Sequence, residues 1–112
     1  MRLLLVAALC VLATGALAAD KPTRFWNLTT ATITNLSLAP AGTGRWGKNQ
    51  CENDRDGEVD PRERLPITDA APGRYDIRLT DKSGRVCIAK AIALRAGEVF
   101  ALEDKDLTDC SR

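Results

Sequence analysis

Short segments of alternating polar and apolar residues run through most of the chain and restrict its fold class. Between Arg74 and Thr80 the apolar residues Tyr75, Ile77 and Leu79 alternate with polar ones, which is typical of a strand with one buried face. The same pattern predicts further short strands at 23–28, 33–38, 65–68, 85–89, 92–94 and 99–102. No window of a dozen residues beyond the N-terminal segment has helical periodicity. We therefore predict an all-β fold, a small antiparallel β-sandwich or barrel.

The N-terminal segment has the features of an export signal. Arg2 precedes an apolar run from Leu3 to Leu12, and Ala16-Leu17-Ala18 is a small-residue cleavage pattern. We expect residues 1–18 to be a signal peptide and 19–112 to form a single β domain. The apolar stretch is short for a membrane span, so we expect a periplasmic or secreted protein with no stable membrane insertion after cleavage.

The charge balance excludes several functions. The chain has 16 basic residues, 15 acidic residues and no histidine, and loss of Arg2 with the signal peptide makes the formal net charge zero. Nucleic-acid binding needs concentrated positive charge, so we expect no nucleic-acid partner. Without histidine there is no catalytic triad and no His-ligated zinc site, and we expect no enzymatic activity.

Three cysteines remain after cleavage of the signal peptide, and an oxidising compartment lets two of them pair. We favour a disulfide between Cys87 and Cys110, because each lies at the edge of a strand pattern. Cys51 is then either free or bonded to a partner. Spacing alone does not determine the connectivity.

An acidic segment at residues 52–63 interrupts the strand pattern. It holds six carboxylates and two arginines, a formal charge of −4. Counted from Glu52 as position one, the acids fall at positions one, three, five, seven, nine and twelve; they are Glu52, Asp54, Asp56, Glu58, Asp60 and Glu63. Gly57 stands at position six and Val59 at position eight, so the segment has the register of an EF-hand calcium loop.

This register assigns a role to each position. A hard cation takes six to eight oxygens, which alternate side chains on a tight turn can supply. Gly57 makes the bend, Glu58 offers its backbone carbonyl, and Val59 anchors the loop to the core. The other five acids are side-chain ligands, with Glu63 able to give two oxygens. We expect the loop to bind lanthanide(III) or calcium ion.

Some features depart from the EF-hand pattern. Position one is Glu52 where the motif has aspartate, and Trp46-Gly47-Lys48 before the loop does not indicate a helix. Pro66 ends any helix that begins at Asp60 after about one turn. The loop is therefore expected to lie between strands. The alternative is a polar surface turn, since asparagine, aspartate and glycine are common turn residues.

Several short motifs resemble a group of small exported proteobacterial β domains. They are Ala39-Pro40-Ala41-Gly42, Trp46-Gly47-Lys48-Asn49, Pro61-Arg62-Glu63, Gly73-Arg74-Tyr75-Asp76-Ile77-Arg78 and Asp81-Lys82-Ser83-Gly84. The resemblance implies a β-sandwich without catalytic activity. It also makes Val59, Pro61 and Glu63 candidate scaffold residues, and Arg62 stands where that group has glycine.

The acidic loop also resembles the metal loops of lanmodulin, a periplasmic lanthanide binder. Asp60 matches the aspartate at position nine of those loops, whereas Asn53 stands where they have proline. A small exported lanthanide-binding protein of the landiscernin type has a similar size, compartment and loop. The resemblance implies a lanthanide ligand.

Two functions from different classes follow from these features. The first is a periplasmic metal-binding protein for metal uptake or trafficking, which could form a metal-dependent homodimer. The alternative is a structural or interaction β domain of the cell envelope with no metal role, in which Trp26 and Trp46 are exposed anchors. The chain has five aromatic residues, so we expect both tryptophans to lie in the core instead.

Overall fold

A computed structural model describes residues 21–112, and the expected signal peptide lies outside them. Seven strands are found in this part of the chain: β1 (Thr23–Leu28), β2 (Ile33–Pro40), β3 (Arg64–Ile67), β4 (Gly73–Asp81), β5 (Val86–Leu94), β6 (Val99–Glu103) and β7 (Thr108–Ser111). Short 3-10 helices cover Gln50–Asn53 and Asp104–Asp106. Within residues 21–112 no helix is long and apolar enough to cross a membrane.

The strands form two sheets, which confirms the predicted all-β sandwich. One sheet has the order β3-β1-β6 and the other the order β2-β4-β5-β7. Most neighbours are antiparallel, as expected, but β1 pairs with β6 in parallel, with Phe25 opposite Phe100. The sequence analysis missed this pairing because four strands lie between the two partners in the chain, so no local turn signals it.

The two inner faces pack into one core. Its fully buried members include Phe25, Leu36, Leu65, Ile77 and Leu102. The rings of Phe25 and Phe100 lie 5.6 Å apart between their centroids. Ile77 and Leu79 are buried as the alternation predicts, and Tyr75 packs at the margin of the core.

Neither tryptophan belongs to the core, so that expectation was wrong. Trp26 and Trp46 are both half-buried. The guanidinium of Arg64 lies 4.2 Å from the ring centroid of Trp26, and that of Arg78 lies 4.5 Å from the ring of Trp46. Each indole therefore has one face covered by a cation rather than by apolar side chains.

The predicted disulfide between Cys87 and Cys110 is present and joins β5 to β7. The four residues of β7 are exposed and have no alternating apolar pattern. The strand is held by antiparallel pairing with β5, by the disulfide and by the ion pair of Asp109 with Lys90 at 2.9 Å. Cys51 is free and completely buried. Its burial leaves no access for a bond to a partner in this conformation.

Candidate metal centre

The acidic loop lies between β2 and β3, as expected, and its first part is held by three polar side chains. Asn49 accepts hydrogen bonds from the backbone N–H groups of Leu36 (3.1 Å) and Cys51 (2.9 Å) through Oδ1. The buried Gln50 donates to the carbonyl of Thr68 at 2.8 Å and accepts from its N–H at 3.0 Å. These bonds join the start of the loop to β2 and to the end of β3.

Asn53 continues this attachment one residue into the loop. Its Nδ2 donates to the Pro66 carbonyl and to Gln50 Oε1, each at 2.8 Å. Its Oδ1 accepts a bond from Lys48 Nζ at 2.9 Å. The side chain at position two of the loop therefore holds the backbone in place and does not serve as a metal ligand.

A tight turn at Asp54–Gly57 follows. Asp54 Oδ2 accepts from the N–H of Asp56 at 2.8 Å, and the Gly57 N–H donates to the Asp54 carbonyl at 3.1 Å. Gly57 has φ +75° and open space where a Cβ would stand. The bend therefore falls at position six, where the sequence register requires glycine.

Val59 attaches the middle of the loop to the sandwich. It is 1 % exposed and forms an antiparallel bridge with Ile33, in which each N–H donates to the other's carbonyl at 2.9 Å. The predicted role of Val59 as a core anchor is therefore correct. Because the chain alternates in this stretch, burial of Val59 leaves Glu58 and Asp60 directed toward the surface.

The fully buried Asn27 supports the second half of the loop, and sequence analysis missed it. Its side-chain Nδ2 donates to the carbonyls of Ala31 and Val59, each at 2.9 Å. Its backbone N–H donates to the Glu63 carbonyl at 2.9 Å, and its own carbonyl accepts from the N–H of Arg62. The only indication of this role in the sequence was that a polar residue stands on the same face of β1 as Phe25.

The last acids of the loop form a second turn. Glu63 Oε1 accepts from the N–H of Asp60 at 2.9 Å, and the Glu63 N–H donates to the Asp60 carbonyl at 3.0 Å. Asp60 Oδ1 accepts from the hydroxyl of Thr32 at 2.9 Å. Arg62 has φ 74°, so this position keeps the left-handed backbone that glycine adopts readily.

The two remaining acids belong to neither turn. Glu52 is exposed on the 3-10 helix Gln50–Asn53. Glu58 is half-buried and its carboxylate pairs with Lys82 at 3.4 Å. Within residues 21–112, no three acidic or cysteine side chains come together in a group that could hold a metal ion. The six loop acids are thus divided among two turns, one ion pair and the 3-10 helix Gln50–Asn53.

The carboxylates of the acidic loop affect the ionisation of the buried Cys51. The pKa of its thiol is raised to about 11, chiefly by burial and in smaller part by the carboxylates of Asp54 and Glu58, while a backbone hydrogen bond at Leu36 opposes the rise. The thiol is therefore neutral at physiological pH. It lies behind the loop as an apolar residue and carries no ligand or nucleophile role.

Comparison of the chain with protein-family models, with curated proteins and with solved structures found no match. Any function must therefore be argued from the residues themselves. The feature with the most chemical content is the acidic loop. Its donor atoms are carboxylate and carbonyl oxygens, the ligands that hard cations prefer.

Proposed function

We propose that the protein binds a hard cation, lanthanide(III) or calcium ion, in the loop at residues 52–63, and that it serves metal uptake or trafficking outside the cytoplasm. The observation that carries the proposal is the backbone of this loop. The bend at Gly57 and the buried anchor at Val59 occupy positions six and eight of the calcium-loop register. Carboxylates stand at the alternate positions on either side.

The loop residues retain oxygens for a cation. Among residues 21–112, the Oδ1 atom of Asp54, Oδ2 of Asp60 and Oε2 of Glu63 accept no hydrogen bond. Asp56 and Glu52 are exposed. Binding requires these side chains to rotate inward while Asn53, Val59 and Asn27 hold the backbone.

The charge of the loop favours a trivalent ion. Six carboxylates and two arginines give a formal −4 within twelve residues, and mutual repulsion among these acids is relieved by a cation. The attraction grows with the charge of the ion, so lanthanide(III) gains more than calcium ion at equal radius. Calcium uses the same carboxylate ligands and remains the competing ion in any assay.

Terbium luminescence tests the proposal. The indole Nε1 of Trp26 donates to the carbonyl of Arg62 at 3.2 Å, so this tryptophan touches the loop and can sensitise a bound terbium ion. We expect saturable sensitised emission from the wild type and its loss in Asp54→Asn/Asp56→Asn. The matched control is Asp69→Asn/Glu98→Gln, which removes the same charge from exposed positions outside the loop. Absence of emission and of calorimetric heat from the wild type would contradict the proposal.

A metal-dependent homodimer is a further part of this proposal. An ion with few ligands from one chain keeps open coordination positions that a second copy can fill. Sedimentation velocity with and without terbium tests this point. A sedimentation coefficient that terbium leaves unchanged would exclude the dimer but not the binding of metal to one chain.

The alternative function is a structural or interaction domain of the cell envelope with no metal role. The observation in its favour is that Trp26 and Trp46 are half-buried rather than in the core, each with an arginine on one face. Loss of envelope-fraction binding on Trp46→Ala, in a protein that gives no terbium signal, would favour this alternative.

A further inference from the structure

A cavity separate from the acidic loop's carboxylates opens at one end of the sandwich. Its volume is about 350 Å³, and it lies between the end of β2, the segment 45–50 and the residues that follow β3. This volume is within the range of small-molecule sites. Nothing in the metal proposal uses it.

Several of the residues that line the cavity are apolar. Leu38, Pro40, Ala70 and the ring of Tyr75 line it. The Tyr75 hydroxyl donates to the Ala71 carbonyl at 2.6 Å, so its polar group is already bonded. The amide of the buried Gln50, which also borders the cavity, is bonded to Thr68. The side-chain polar groups of Tyr75 and Gln50 are thus each already engaged in hydrogen bonds with the protein.

The mouth of the cavity carries excess positive charge. Arg45 and Lys48 line it together with Asp69. Lys48 Nζ is 4.0 Å from the Asp69 carboxylate, whose side chain is 79 % exposed, so this ion pair is weak. The side chain of Arg45 forms no ion pair within residues 21–112. Lys48 Nζ also donates to Asn53 Oδ1 at 2.9 Å, which leaves its charge without a close carboxylate. One unpaired guanidinium and one ammonium thus stand beside apolar lining residues.

We propose that this cavity binds a small organic carboxylate with an aliphatic or aromatic body. The carboxylate pairs with Arg45 and Lys48, since a guanidinium can donate two parallel hydrogen bonds to it. The apolar body packs against Leu38, Pro40 and Ala70. An inorganic anion satisfies the cations but leaves the apolar lining residues in water, so the body of the ligand is part of the recognition.

Titration of the metal-free mature protein with hexanoate tests this proposal, with hexanamide as the uncharged probe of the same shape and inorganic phosphate as the anion without a body. Amide NMR shifts report the site. We expect saturable shifts at Gly47, Ala70 and Tyr75 with hexanoate, and affinity lower by about threefold or more with hexanamide. Phosphate should cause no saturable shift at Ala70.

Variants assign the effect to the cavity. Arg45→Gln should weaken hexanoate binding by about threefold, and Arg45→Gln/Lys48→Gln by about tenfold. The exposed Arg24 lies on β1 away from the cavity, and Arg24→Gln should leave the affinity unchanged. Equal affinity for hexanoate and hexanamide, shifts confined to other residues, an equal loss in Arg24→Gln, or no saturation at millimolar hexanoate would each overturn the proposal. The protein is free of metal throughout, so these results do not depend on metal binding by the acidic loop. The single variant Arg45→Gln also leaves the bond from Lys48 to Asn53 in place.

Discussion

Asn27→Asp tests the claim that a buried side chain in β1 supports the acidic loop. The substitution keeps the size and the Oδ1 acceptor, which receives the N–H of Thr29 at 3.0 Å and its hydroxyl at 2.6 Å. It replaces the Nδ2 donor with an oxygen that faces the carbonyls of Ala31 and Val59. Two hydrogen bonds are lost, although the Val59 carbonyl keeps the N–H of Ile33 at 2.9 Å. A carboxylate oxygen without a donor is placed where Asn27 is 0 % exposed.

The expected cost follows from those contacts. Each lost hydrogen bond costs about 1 kcal/mol, and the buried carboxylate oxygen left without a donor costs about 1–3 kcal/mol, so the total is about 4 kcal/mol at neutral pH. Burial next to carbonyl oxygens raises the pKa of the new carboxyl group in the folded protein above its unfolded value. The charge penalty is therefore largest above the folded pKa and is relieved as the pH falls below it.

Urea denaturation monitored by tryptophan fluorescence measures this cost. Asn35→Asp is the matched control, because Asn35 is exposed on β2 and makes the same chemical change at the surface. We expect about 4 kcal/mol less stability for Asn27→Asp at neutral pH, with a smaller deficit in acid, and a change within about 0.5 kcal/mol for the control. A deficit below about 1 kcal/mol, or one that does not shrink in acid, would refute the assigned role of Asn27.

Three further substitutions test other parts of the fold. Cys110→Ser opens a loop with a sequence separation of 23 residues, so the free energy of unfolding should fall by about 3 kcal/mol in urea titrations; an unchanged midpoint would contradict the role of the disulfide. Arg62→Gly removes the left-handed strain at φ 74° and should raise stability by about 1 kcal/mol, whereas a loss would show that the arginine side chain outweighs the strain. The N–H groups of Gly42 and Ala91 lower the pKa of Asp76 below its usual 3.8. The stability that this carboxylate contributes is present above pH 3.8 and is lost as the pH falls through the folded pKa. In an acid titration, the stability of Asp76→Asn should therefore fall less steeply with pH than that of the wild type. An identical dependence of stability on pH in the two proteins would contradict this.

The sequence predicted those parts of the fold that depend on local pattern. The alternation at Tyr75, Ile77 and Leu79 located β4. β3, which contains Pro66, lies at the edge of its sheet, where a proline that cannot donate to the ladder is tolerated. The turn at 81–84 joins β4 to β5, and Asp81 Oδ1 stabilises it by accepting the N–H of Ser83 and of Arg85.

The parts that were missed depend on distant residues. β7 has no apolar alternation. It is held beside β5 by the disulfide between Cys110 and Cys87 and by the Thr108 hydroxyl, which donates to the Ile88 carbonyl at 3.0 Å. The residues next to Asn27 in the sequence indicate only that it belongs to a strand. Its hydrogen-bond partners near the loop lie 32 or more residues away along the chain. Neither case leaves a signal within a short window of sequence.

The sequence likewise predicted some features of the candidate site and missed others. Spacing placed the bend at Gly57 and the anchor at Val59, because both depend on local backbone geometry. Spacing did not show how the carboxylates are divided, since Asp54 bonds within its own turn and Glu63 bonds to Asp60. Six carboxylates repel one another and come together only when a bound cation offsets the repulsion. Spacing in the sequence does not show whether such a cation is bound.

Competitive titration of terbium and calcium into the wild type and Asp54→Asn/Asp56→Asn tests the central claim most directly. The account predicts saturable terbium binding to the wild type, displacement that needs a large excess of calcium, and an affinity at least about tenfold lower in the double variant. Equal terbium affinity in the two proteins would contradict the assignment of the ion to the loop at residues 52–63.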